Sequence, residues 1–172
     1  MYKFSIFTSI FIISVVATTA WGTPLPTALE KIAVFSGNWK TETGHFDTPY
    51  SKAGKDAATI RNECWRSGDY YACHQYVDGK SKALLIYAYD AKDDIYNVYH
   101  IVANDDDVQT GKLIIHGNVW TFPWETKEKG KTIYFHVINV FTALDAIQYR
   151  EEYSTDKVHW YPMAQGYEKK IP

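Results

Sequence analysis

Both cysteines of the chain flank one tight turn, in the run Arg61-Asn-Glu-Cys-Trp-Arg-Ser-Gly-Asp-Tyr-Tyr-Ala-Cys-His-Gln-Tyr-Val77. With Gly68-Asp69 as the central residues of a type II′ or I′ hairpin, glycine supplies the positive φ that such a turn needs. Counting outward, Ser67/Tyr70 close the turn as a hydrogen-bonded pair and Arg66/Tyr71 are non-hydrogen-bonded. Trp65/Ala72 are bonded again, and Cys64/Cys73 are non-hydrogen-bonded. Cα atoms at such a pair lie about 4.5–5.5 Å apart, within reach of a disulfide. The pairing predicts a cross-strand staple that pins the register. It also sets Cys64 and Trp65 on opposite faces of the sheet.

A disulfide implies an oxidising compartment, and the amino terminus agrees. Met1-Tyr-Lys3 precedes an uncharged apolar run from Phe4 to Ala17, and small residues follow to Gly22. That order reads as a secretory signal peptide over 1–22, cleaved after Gly22 or after Ala20. The run is shorter than the ~20 residues of a membrane span. With the first cysteine at Cys64, no lipid anchor is expected at the cleavage point. The product is expected in the periplasm or outside the cell, with no stable membrane anchor. Removing Lys3 with the leader leaves 17 basic against 20 acidic residues, a mild acidity that argues against nucleic acid as a partner.

Residues 23–172 suffice for one domain with its own core. Pro26–Phe35 reads as a short amphipathic helix, with Leu29, Ile32 and Phe35 on one side and Thr27 as N-cap. Beyond it, turn signals recur about every 8–12 residues, and Tyr, Trp and Phe fall in short alternating runs. Ten strands are predicted, at 37–44, 56–66, 70–77, 82–89, 95–103, 108–116, 119–126, 132–140, 146–153 and 158–167. Pro123 and Pro162 mark an edge, a bulge or a strand end. Connections this short leave no room for crossover helices. The expected architecture is therefore an all-β, antiparallel up-and-down barrel, with an open sandwich as the alternative.

Gly37-Asn38-Trp39, a G-x-W at the start of the first strand, resembles the amino-terminal signature of the calycins, the lipocalin-like barrels. The chain further resembles the bacterial domain-of-unknown-function 1579 family. The matching residues are Cys64-x8-Cys73, Tyr89-Asp90 before an acidic turn and Ile95-Tyr96, Gly117-Asn118-Val119-Trp120-Thr121, Glu128-Lys-Gly130-Lys131, Glu152-x-Ser154-x-Asp156, and Trp160 before Gly166. They run in order over nearly all of 23–172. Thr-Asp-Lys after Ser154 departs from the family's usual Asp-Gly, as do His100 and Pro162 at strand positions. The resemblance implies a small secreted barrel with a central cavity, and no established activity.

The residues themselves offer few catalytic signals. The six histidines form no H-x-H, H-x-x-x-H or H-E-x-x-H arrangement, so no metal site is expected. No G-x-S-x-G is present, and the disulfide leaves no free cysteine. Asp90–Asp94 lacks the oxygen series of a calcium loop. Glu151 and Glu152 are adjacent on a strand, point to opposite faces and cannot act as a glycosidase pair. Alternation with Ile147, Tyr149 and Tyr153 places Glu151 inside, where a carboxylate needs a partner, a raised pKa or solvation at the barrel mouth.

The aromatic excess points to a lumen lined by Trp39, Tyr76, Tyr89, Tyr99 and Tyr149, with His136 and Glu151 as polar handles. Such a lumen suits a small hydrophobic or amphipathic ligand and needs no cofactor. Two alternatives are a haem-binding or enzymatic barrel using Glu151 or an inward histidine, His136 or His159, and a filled core whose outer surface meets a partner.

Overall fold

A computed structural model describes residues 27–104 and 107–172; the leader and both cleavage positions lie outside the described residues. A 3-10 helix, Ala28–Phe35, precedes ten strands: β1 (Gly37–His45), β2 (Gly54–Ser67), β3 (Tyr70–Val77), β4 (Lys80–Asp90), β5 (Ile95–Val102), β6 (Val108–His116), β7 (Val119–Glu128), β8 (Lys131–Ala143), β9 (Ala146–Ser154) and β10 (Tyr161–Ile171). Each strand pairs antiparallel with its chain neighbours, and β1 pairs with β10 to close the barrel. Closure by the β1–β10 seam pairs the first and last strands, which would otherwise be open edges.

The opening hairpin forms in the expected register. Ser67 faces Tyr70, Cys64 faces Cys73, Gly68 takes φ +60°, and the two sulfurs are bonded with Cα atoms 4.0 Å apart. The bridge turns inward, with Cys73 buried beneath the helix, and Trp65 faces solvent at 46% exposure. Replacing both cysteines by serine should lower stability by about 2–3 kcal/mol, the loop-closure effect of a short bridge. A denaturant titration against the oxidised protein reads that difference.

The helix differs from the expected one in kind. Leu29, Ile32 and Phe35 are three residues apart, which stacks them along a 3-10 helix, and the Thr27 side chain makes no cap hydrogen bond. The helix plugs one end of the barrel, where Leu29 and Ile32 pack with Tyr71, Tyr96, Leu113 and Trp120. Its carbonyls are pinned to the wall by side chains. Tyr96 Oη donates to Ala28 O at 2.5 Å, Lys170 Nζ to Val34 O at 3.2 Å, and Trp39 Nε1 and Asn62 Nδ2 to Phe35 O at 2.8 and 3.2 Å. At the other end, Tyr50 from the β1–β2 connection packs on Phe135 and Tyr153.

The last strand starts later than the alternation implied. Ser154 and Asp156 side chains accept the N–H groups of Asp156 through His159, holding that stretch in a turn. Pro162, which has no N–H for a ladder, sits at the β9–β10 bulge.

Candidate functional site

Register assigns every inward side chain, because paired residues share a face. Trp39 is 1% exposed and faces inward on β1, which places Thr41, Thr43 and His45 inside as well. Passing around the barrel, the same rule places Tyr89, Tyr149 and Glu151 within. It corrects three expected lining residues. Tyr76 lies outside, with the Arg61 guanidinium 3.9 Å over its ring. Tyr99 is also outside, at 40% exposure. His136 faces outward beside Pro123, bonded to Glu152 at 2.7 Å and stacked on Trp160 at 3.7 Å. His159, the other histidine expected inside, binds Asp156 at 2.7 Å in the turn before β10. The inward histidines are His45 and His100.

The inward aromatics are used differently from one another. Trp39 is core, sealed under the helix. Tyr89 packs on Tyr96 and sends its hydroxyl to Asp94 at 2.7 Å, away from the lumen. Tyr149 lies across Gly166 and hydrogen-bonds Thr43, fixing the β9, β10 and β1 walls. Glu151 faces the lumen between Val137 and Ala164. Burial raises its carboxyl above the ordinary glutamate value, and His45 nearby opposes that shift. His45 in turn bonds Asp56 at 3.0 Å. Among the described residues, no three His, Cys, Asp or Glu side chains are grouped to hold a metal ion.

Two of the spaces in this frame bear on function. The first is an inner chamber of about 140 Å³ above the plug, walled by Phe35, Tyr87, Leu85 and Phe122 with Asn62, Gln75, Asn139 and Glu168. Among the described residues Glu168 has no hydrogen-bond or ion-pair partner, and burial holds its carboxyl above the ordinary value. The second is a cleft of about 800 Å³ running along Leu85, Val98, His100, Gly111, Phe122 and Val137. Leu85 and Phe122 line both, so these two side chains stand between the chamber and the cleft.

The cleft exists because β6 and β7 part. Their ladder has three pairs, Ile114↔Thr121, Ile115↔Trp120 and His116↔Val119, all beside the Gly117-Asn118 turn, whereas β7 and β8 stay paired from Val119 to Glu128. Two residues suit the parting. Pro123 brings no N–H to the β7 backbone, and Gly111 on β6 leaves its lumen position without a side chain, with open space around a built Cβ. Neither Glu168 nor the split was read from the sequence. Glu168 lay beyond the predicted end of the last strand, and Pro123 and the inward Gly111 were the available signals of the split.

No protein-family model matches the chain, and no curated protein matches it. Among solved structures, the crystal structure of Rv2717c from M. tuberculosis aligns with a TM-score of 0.50 over 84% of this chain and 98% of that one, at 10% sequence identity. At that identity the likeness is one of fold: the chain shares a barrel architecture with that protein.

Proposed function

We propose that the protein is a secreted, lipocalin-like carrier or sensor of the domain-of-unknown-function 1579 kind, which holds a small amphipathic molecule in its lumen and admits it sideways between β6 and β7. One observation carries this reading: the short β6–β7 ladder leaves a cleft in the wall, and two of its lining side chains, Leu85 and Phe122, also wall the polar inner chamber. A filled barrel would have no use for a broken ladder, since unpaired strand backbone costs stability. The cleft has the volume of a small-molecule site. Its walls set Leu85, Val98, Phe122, Trp124 and Val137 beside polar and charged groups that include His100, Gln109, Lys112 and Glu125, a mixed lining that suits an amphipathic ligand.

The disulfide and the apolar run at the amino terminus support export. The outer wall is built for water, with Lys40, Glu42, Arg61, Glu63, Arg150 and Glu152 in surface ion pairs. No helix among the described residues is long and apolar enough to cross a membrane. Export is tested by sequencing the amino terminus of the product from the native host, where Thr23 is expected first.

Lumen binding is tested by titrating 1-octanol into methyl-labelled protein. Resonances of Leu85, Val98 and Val137 should move together and saturate. Shifts confined to outer-surface residues such as Leu144 and Val158 would contradict the reading.

A further inference from the structure

Glu168 is the anomaly of the inner chamber. It sits on β10 between Thr41 of β1 and Ile147 of β9, all facing inward. A carboxylate at such a place is normally paired, because desolvation without a partner is costly. Lys170 and Asn62, close in the wall, are committed to the plug: Lys170 gives its ammonium to Val34 O and to the face of Trp39, and Asn62 gives its amide to Phe35 O. The Glu168 carboxyl is left facing a small chamber that also presents the side-chain amides of Gln75 and Asn139.

This is an acceptor-rich pocket with aromatic walls. An ammonium group has three N–H donors and no acceptor. One carboxylate oxygen and two amide carbonyls match that count, and the rings of Tyr87 and Phe122 suit a cation beside them. The chamber, at about 140 Å³, takes a head group and little more. What the head carries would reach the cleft past Leu85 and Phe122, which line both spaces, and lie along Val98, Phe122 and Val137.

We propose that the lumen binds amphiphilic primary amines, with the ammonium head seated in the inner chamber against Glu168 and the apolar tail lying in the β6–β7 cleft. The proposal rests on the lumen-binding reading and narrows it to one class of ligand. An anionic head would meet Glu168 as a like charge, and a neutral alcohol would leave the carboxyl without a counter-ion.

Calorimetric titration of the disulfide-intact protein at pH 7 with n-octylamine, 1-octanol and sodium octanoate separates the possibilities. Octylamine should bind at least tenfold more tightly than the other two. Glu168→Gln should erase that preference, bringing the amine to the level of octanol, while octanol affinity changes less than twofold. The variant's melting temperature should equal or exceed the wild type's, because a buried neutral amide replaces an unpaired acid. Should Glu168→Gln fail to fold, the wild-type preference for amine over alcohol and octanoate still decides the question. If octanol or octanoate binds as tightly as the amine, and filling the cleft with Gly111→Leu weakens that binding, the amine assignment is overturned and the lumen reading stands. If none of the three binds at millimolar concentration, both fall.

Discussion

Gly166→Ala is expected to cost about 3 kcal/mol or more, a large share of the ~5–15 kcal/mol by which a domain is stable. Gly166 lies on β10 opposite Tyr149 of β9 and Thr43 of β1. A Cβ built there runs into the Glu42 carbonyl oxygen and comes within 2.8 Å of Tyr149 Oη and 2.9 Å of Cζ. Tyr149 cannot swing aside freely, because its hydroxyl is tied to Thr43. The Glu42 carbonyl belongs to a strand paired on both sides from Asn38 to His45, so it cannot retreat without opening the seam that closes the barrel. Gly111→Ala is the matched control. Its built Cβ meets nothing within 4 Å, and its stability should stay within about 0.5 kcal/mol of wild type. Urea midpoints of the two variants, measured side by side, check the contrast.

Trp39→Ala should cost about 3–5 kcal/mol, the range for deleting a buried large aromatic. Its ring is 1% exposed, lies 5.1 Å from the Lys170 ammonium, and donates its indole N–H to Phe35 O. Removing it opens a void against the plug and frees one of the contacts that hold the helix. Trp39→Phe should cost less, about 1–2 kcal/mol, through lost volume and one hydrogen bond. Asn62 continues to donate to Phe35 O, so that acceptor is not orphaned. Loss of plug docking gives a second readout, since amide exchange of the Ala28–Phe35 helix should accelerate more than that of β8, which lies between two intact ladders. Uniform acceleration throughout the barrel would mean that Trp39 supports the whole core and has no special hold on the plug.

How much of this was legible in the sequence depended on how local the cause was. The cystine hairpin was readable because a glycine turn and two cysteines fix a register within ten residues. Glu151 was readable because β9 has one apolar and one polar face. The same method failed on β8, where Tyr134 and Phe135 put aromatic rings on both faces and His136 received no sign from its neighbours. It failed again at Tyr76, which stands three residues from the inward Cys73 and so on the opposite face, where an arginine covers its ring. Tyr99 is simply an outward aromatic on a strand with apolar residues on either face.

Glu168 was invisible for a different reason. Gly166-Tyr-Glu-Lys-Lys170 reads as a polar carboxyl-terminal tail, and only pairing with β1, more than a hundred residues away in sequence, turns Glu168 inward. The helix itself, by contrast, was legible in the spacing of Leu29, Ile32 and Phe35, although its 3-10 form and its uncapped Thr27 were not. The β6–β7 split combines both cases. Pro123 and Gly111 are visible in the chain, but their facing positions follow only from the whole barrel.

The central claim is that the lumen is a binding site reached between β6 and β7. Gly111→Leu tests it most directly, because the substitution projects into space that is open and carries no backbone strain. With the melting temperature unchanged, fluorescence titration with N-phenyl-1-naphthylamine should show saturable binding by the wild type and at least tenfold weaker binding by Gly111→Leu. Equal binding by the two proteins would place the probe elsewhere and contradict the account.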